Sequence, residues 1–115
     1  IGGHSAVHQW CKIGDHCMIQ GGSLVRQDVP PFVTMRETGS YAGINKLGLQ
    51  RRGFTAEQIE AIHNTYRIIF QSDMNFTNAC NEVEQTLPQS AERDYILKFV
   101  RASLGGRGVI KKYGR

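Results

Sequence analysis

The sequence predicts a β-solenoid joined to α-helices: the last coils of a left-handed parallel β-helix, followed by a C-terminal helical cap. Two observations predict it. Ile1, Val7, Ile13, Ile19 and Val25 recur at a strict spacing of six, and a small side chain (Ser5, Cys11, Cys17, Ser23) stands two places before each later member. Beyond Thr55 the apolar residues recur instead at three and four, the period of an amphipathic helix.

Neither an α-helix nor an ordinary strand repeats identity every six residues. A triangular coil with three short walls, each one hexad long, does. The aliphatic residue fills the interior of a wall, the small residue fits where the corner narrows, and Gly2 and Gly14, directly after an aliphatic residue, supply corner freedom. Five hexads make fewer than two coils, whereas a solenoid buries its core only by stacking about three or more repeats. Further coils are therefore expected before Ile1, and the chain reads as a piece of a longer protein. Ile1-Gly2-Gly3-His4 has no Met, basic n-region or apolar h-region, so nothing there reads as a signal peptide.

The hexads stop at Val29-Pro30-Pro31, because proline cannot donate to a strand ladder. Residues 1–34 are thus read as the end of the β-helix. Residues 35–54, punctuated by Gly39, Ser40 and Gly43, are read as a connecting loop. Residues 55–115 are read as a helical domain with a basic tail. Its first helix opens on Thr55 with Gln58, a capping box, and carries Ile59, Ile62, Tyr66 and Ile69 on one face. A second helix over Thr77 to Leu87 buries Phe76, Cys80, Val83 and Leu87, and Pro88 ends it. Ser90 caps a third, with Ile96, Phe99 and Val100 inward and Gly105-Gly106 as its stop.

Hydrophobic residues make up 40% of the chain, enough for a core and too many for disorder. No apolar run approaches the roughly 18 residues of a membrane span, so no stable membrane insertion is expected. Three cysteines, an odd number without tight pairing, fit a reducing cytosol better than a disulfide framework. The net charge of +4 is a property of the tail, since six Lys/Arg and no acid follow Asp94. Such a tail (Arg107, Lys111, Lys112, Arg115) suits an acidic protein or nucleic acid; a solvated end is the plainer alternative.

His4, His8, Cys11, His16 and Cys17 invite a metal reading, but zinc needs four converging ligands. In the hexapeptide register Cys11 and Cys17 face the interior, His8 points outward, and His4 and His16 lie on different walls. No metal is expected. His8 and Gln9 are adjacent hydrogen-bonding side chains on the solenoid surface. Asn45 precedes Arg51 and Arg52 in G-I-N-K-L-G-L-Q-R-R-G-F, and paired guanidinium forks match a diphosphate; a solvated charge pair fits the same residues. Gly21 removes a side chain from a wall and Met18 is flexible and apolar. Both suit a groove for a long apolar substrate, or a corner and its filler.

The stretches G-G-H-S-A-V-H-Q-W-C-K-I-G, Q-D-V-P-P-F-V and G-I-N-K-L-G-L-Q-R-R-G-F closely resemble the acyl-[acyl-carrier-protein]–UDP-N-acetylglucosamine O-acyltransferases, which catalyse the first step of lipid A synthesis. The resemblance is strong from about Gly2 to Phe54 and mainly architectural in the helices. It implies a cytoplasmic homotrimer of left-handed β-helices with active sites between neighbours. It implies transfer of a 3-hydroxyacyl group from acyl carrier protein to the 3-hydroxyl of UDP-N-acetylglucosamine, with no cofactor and no nucleic acid. It assigns His8 and Gln9 to the sugar nucleotide, Asn45 to the nucleotide end, and Arg51 and Arg52 to the phosphates. Met18 and Gly21 fall along the acyl groove, and a glycine at position 21 implies room for a longer chain. Two departures stand out. Leu47 occupies a place where many members carry glutamate, and the loop before Gly43 is about one residue short and lacks a histidine found there. The family's general base, a histidine, matches neither His4 nor His8 and is expected before Ile1, so no catalytic residue is assigned here and the chain alone is expected to be inactive. The alternatives are another hexapeptide acyl- or acetyltransferase, against which V-H-Q and L-x-R-R-G-F speak, and a non-catalytic trimerisation or binding module.

Overall fold

The structure, a computed structural model, describes residues 6–7, 13–20, 24–25, 27–36, 41–106 and 108–110. Five short strands come first: β1 (Ala6–Val7), β2 (Met18–Ile19), β3 (Leu24–Val25), β4 (Val33–Met35) and β5 (Tyr41–Ile44). Four helices follow: α1 (Lys46–Arg51), α2 (Ala56–Gln71), α3 (Phe76–Thr86) and α4 (Ala91–Leu104).

The early strands pair in parallel at long, regular separations. β1 lies beside β3 with Ala6 opposite Leu24 and Val7 opposite Val25, a step of three hexads. β2 lies beside β4 with Met18 opposite Thr34 and Ile19 opposite Met35, and Ile13 bridges Val29 in parallel. These later pairs are sixteen residues apart, two fewer than the first. The stacking therefore runs past the prolines at which the hexad count stops. Pro30 and Pro31 escape the ladder because they sit between the bridge at Val29 and the strand at Val33, and they offer only carbonyls. The Pro30 carbonyl accepts the Cys17 thiol at 3.0 Å and the Pro31 carbonyl accepts the Tyr66 hydroxyl at 2.6 Å. Ile19, Val29, Val33 and Met35 are all 1% exposed or less; Val29 to Met35 restores the spacing of six after the two-residue shortening.

The segment expected to be only a connecting loop contains β5 and α1. β5 pairs antiparallel with β4, with Val33 opposite Ile44 and Met35 opposite Tyr41, and an irregularity between Thr34 and Met35. Gly43, opposite Thr34 at φ 124°, takes a backbone conformation that an L side chain avoids. Four residues of strand and six of helix are too short to show a period. They form because Tyr41 and Leu49 are buried against the rest of the core.

The helices follow their capping chemistry. Both capping-box bonds at α2 are present: Gln58 N–H donates to Thr55 Oγ1 at 3.1 Å, and Thr55 N–H to Gln58 Oε1 at 2.8 Å. Its buried face is Ile59, Ile62, Thr65, Tyr66, Ile69 and Phe70. α3 begins one residue earlier than expected, because Asn75 caps it by accepting from Asn78 N–H at 2.8 Å. Ser90 caps α4, where Leu97 joins Ile96 and Val100 in the core and Phe99 stays partly exposed. Tyr66, fully buried on α2, spans the helical layer and reaches the strands through its bond to Pro31. The rings of Tyr41 and Phe70 stack at 4.3 Å, joining β5 to α2.

After α4 the chain returns to the sheet. Asp28 bridges Val109 in parallel, through Asp28 N–H to Gly108 O at 2.8 Å and Ile110 N–H to Asp28 O at 3.1 Å. The Ser103 hydroxyl donates to Asp28 Oδ2 at 2.7 Å. Among the described residues no helix is long and apolar enough to cross a membrane.

Candidate substrate-binding site

α1 is a six-residue helix with a chemically distinct group at each end. Asn45 caps its start. The Asn45 backbone N–H donates to Phe32 O at 2.7 Å, its Nδ2 donates to His16 O at 3.1 Å, and its Oδ1 accepts from Gly48 N–H at 3.4 Å. The side-chain amide is thus held between the turn at His16 and the first turn of α1. A Cβ at Gly48 would stand 2.4 Å from Asn45 Nδ2, so a residue without a side chain three places after the cap leaves the amide its position.

Arg51 and Arg52 lie at the other end, Arg51 as the last helical residue and Arg52 as the C-cap. Both are exposed, and neither forms an ion pair among the described residues. Cations are favoured there by the helix dipole, and among the described residues no acidic side chain pairs with either guanidinium. Six residues of rise separate the amide from the arginines by about 9 Å, so one rigid element presents a polar amide and paired cations. Lys46 and Leu47 are exposed on the same helix, Leu47 at 58%.

Met18 is half exposed, at 50%, on β2 and two residues beyond His16, whose carbonyl holds Asn45. The turn at His16 therefore links the expected acyl-groove residue to the expected nucleotide-contacting residue. His8, Gln9 and Gly21 lie outside the described residues, as do His4, Cys11 and the basic residues Arg107, Lys111, Lys112 and Arg115. Sequence reasoning missed His16 and Gly48, which act through a backbone carbonyl and an absent side chain. The signal available for the second was a glycine three places after an N-cap asparagine.

On its other side α1 forms a cleft of about 440 Å3 with α2, lined by Ile44, Lys46, Gln50, Ile59, Glu60 and His63 among others. Of these the sequence singled out Ile59 alone, and that as a core residue of the helix face. Cys17 is no nucleophile: burial pushes its thiol up to about 11, and it donates to Pro30 O, so it stays protonated near neutral pH. Among the described residues no three His, Cys, Asp or Glu side chains converge as metal ligands.

With this geometry in place, comparison with known proteins is direct. Residues 28–110 match the family profile described as UDP N-acetylglucosamine O-acyltransferase, domain 2. An acyl-[acyl-carrier-protein]–UDP-N-acetylglucosamine O-acyltransferase of Herminiimonas arsenicoxydans is 48% identical over 114 residues, covering 96% of this chain and 44% of the relative. Its namesake from Myxococcus xanthus is 36% identical over 107 residues, 92% of this chain and 42% of the relative. Among solved structures, the UDP-N-acetylglucosamine acyltransferase of Bacteroides fragilis superposes with a TM-score of 0.90 at 46% identity, covering 95% of this chain and 42% of that one. The Arabidopsis enzyme does so at 0.85 and 35% identity, covering 93% and 40%. The chain spans less than half the length of these relatives, and the match takes in α1, its arginines and the whole helical part. The chain belongs to the UDP-N-acetylglucosamine O-acyltransferase family.

Proposed function

We propose that this chain supplies the second domain and adjoining coils of an enzyme that transfers a 3-hydroxyacyl group from acyl carrier protein to the 3-hydroxyl of UDP-N-acetylglucosamine. The observation that carries the reading is α1, a helix with a tethered amide at one end and, at the other, two arginines without an ion pair among the described residues, inside the segment that matches the family. In this reading Asn45 meets the nucleotide, and Arg51 and Arg52 clamp the diphosphate, where forked donors match phosphate oxygens. His8 and Gln9 bind the sugar nucleotide, and Met18 and Gly21 line the acyl groove.

The parallel strands belong to a left-handed β-helix in this reading. The eighteen-residue step between β1 and β3 supports it, since three hexad walls make one coil. Residues 1–34 end the solenoid, 35–54 carry the nucleotide-binding helix, and 55–115 form the cap. The enzyme is a cytoplasmic homotrimer that closes its sites between neighbours. The base that takes the sugar hydroxyl proton is a histidine matching neither His4 nor His8, so this chain by itself does not turn over.

The test is transfer from 3-hydroxyacyl carrier protein to UDP-N-acetylglucosamine by the chain alone and by the chain joined to a relative's N-terminal portion. Activity is expected only in the second. Replacing Arg51 and Arg52 by Ala is expected to raise KM for the sugar nucleotide at least tenfold and, as both are exposed, to move stability by no more than about 0.5 kcal/mol. An unchanged KM would remove the diphosphate role, and transfer by the chain alone would overturn the assignment of the base.

A further inference from the structure

We propose that the cleft between the His16–Phe32 turn and the start of α4 is a binding site for a guanidinium group. It encloses about 400 Å3, and its lining includes four aromatic rings, His16, Phe32, Phe54 and Tyr95, and two carboxylates, Asp15 and Glu92. Its lining includes neither Asn45 nor the arginines of α1, although His16 and Phe32 hold Asn45 through their carbonyls, and it does not depend on the function proposed above.

The rings form a faceted wall. Phe32, 3% exposed, is the floor. Phe54 stands 5.9 Å from it at 67°, Tyr95 5.7 Å from it at 87°, and His16 meets Phe54 at 5.1 Å and 76°. His16 stacks on Phe32 at 5.8 Å and 11°, while the steep angles to Phe54 and Tyr95 keep the four rings from closing into one stack and leave the half-buried ones available to a ligand. His16 and Phe32 are, among the described residues, the two non-glycine residues with positive φ, and both line this cleft. Unfavourable backbone collected at one surface feature is a pointer to function.

The charge is one-sided. No Lys or Arg lines the cleft, and neither Asp15 nor Glu92 forms an ion pair among the described residues. The Tyr95 hydroxyl donates to Asp15 Oδ2 at 3.1 Å, fixing that carboxylate at the rim. Glu92 lies in the first turn of α4, where the helix dipole offsets part of its charge; Asp15 keeps its own. Ring faces attract a cation. A guanidinium also stacks flat on aromatic faces and donates in a fork to carboxylates, which a compact ammonium does not match. A planar, nitrogen-rich cation is therefore the class that uses both parts of the lining.

The experiment is an NMR titration of the chain with free L-arginine and with acetyl-Gly-Arg-Gly-amide, each beside its citrulline counterpart, the neutral isostere. Saturable shifts of the Phe54 and Tyr95 ring signals are expected with an arginine probe, at least tenfold tighter than with citrulline. The tighter of the two arginine probes tells a free metabolite from a polypeptide side chain. Binding is expected to fall at least tenfold in Asp15→Asn/Glu92→Gln, and in Ala91→Lys, which puts the protein's own cation in the cleft and leaves every ring and carboxylate in place. No saturable response to either arginine probe, an equal response to citrulline, or undiminished binding in a folded Ala91→Lys variant would each overturn the proposal.

Discussion

The imidazole of His16 and the ring of Phe32 stack 5.8 Å apart with 11° between their planes, and both residues hold left-handed backbone, at φ 59° and 71°. They are sixteen residues apart, the same step as the pairing of β2 with β4, so one turn lies directly on another. Left-handed backbone costs an L-residue about 1–2 kcal/mol, and the stacked pair returns about 0.5–1.5 kcal/mol. Asparagine tolerates this backbone and valine does not. His16→Asn is therefore expected to cost the ring contacts with Phe32 and Phe54, about 1 kcal/mol each, and His16→Val to cost at least about 1 kcal/mol more. Urea unfolding of the two variants checks the order; equal midpoints would show that the backbone sets no preference at this position.

Gly14 is pinned by contact. A Cβ there would stand 2.4 Å from Pro31 N and 2.6 Å from its Cα, backbone atoms that a rotamer change cannot move aside. Gly14 N–H also donates to Val29 O at 2.7 Å, so the strands cannot part without losing a ladder bond. Gly14→Ala is expected to destabilise by about 1–3 kcal/mol, seen as a lower urea midpoint at unchanged m-value. A midpoint equal to wild type would mean that the segments around Gly14 and Pro31 separate freely.

Gly48 separates binding from stability. Alanine in a helix gains about 1 kcal/mol over glycine. Here its Cβ dislodges the Asn45 amide, and a lost N-cap costs about 1 kcal/mol. The two offset, so Gly48→Ala is expected to leave the unfolding midpoint nearly unchanged and, on the proposed role of Asn45, to weaken the binding of UDP-N-acetylglucosamine at least tenfold. Asn45→Ala should show the same binding loss with a lower midpoint. Wild-type affinity in Gly48→Ala would show that the tethered orientation of Asn45 does not matter.

Cys17 makes folding sensitive to alkali. Burial raises its thiol from 9.0 to about 11, so the folded state favours the protonated form. The resulting stability is fully present below pH 9 and is lost as pH rises through 11. Cys17→Ala is expected to reduce the fall in stability between these values without abolishing it, because burial also raises Cys80, Tyr41 and Tyr66. Alkylation of Cys17 at pH 8 is expected to proceed only as fast as the chain opens. Rapid alkylation of the folded protein would contradict the half-buried, carbonyl-bound thiol.

The periods in the chain determined by themselves that short parallel strands, the first pair three hexads apart, precede capped amphipathic helices, because side chains that share an interior must recur at the interval at which the backbone returns to it. Thr55, Gln58 and Ser90 marked helix starts through bonds that span three residues, and Asn45, Arg51 and Arg52 were legible as polar groups on one short segment. Only the tertiary structure decided the rest. That the step between parallel strands shortens by two residues and the pairing runs past Pro30 and Pro31, that Tyr41–Ile44 becomes a strand, and that Val109 returns to Asp28 all depend on contacts between residues far apart in sequence. The hold of His16 on Asn45 and the need for glycine at 48 were hidden for the same reason: one acts through a main-chain carbonyl, which every residue has, and the other through a side chain that is not there.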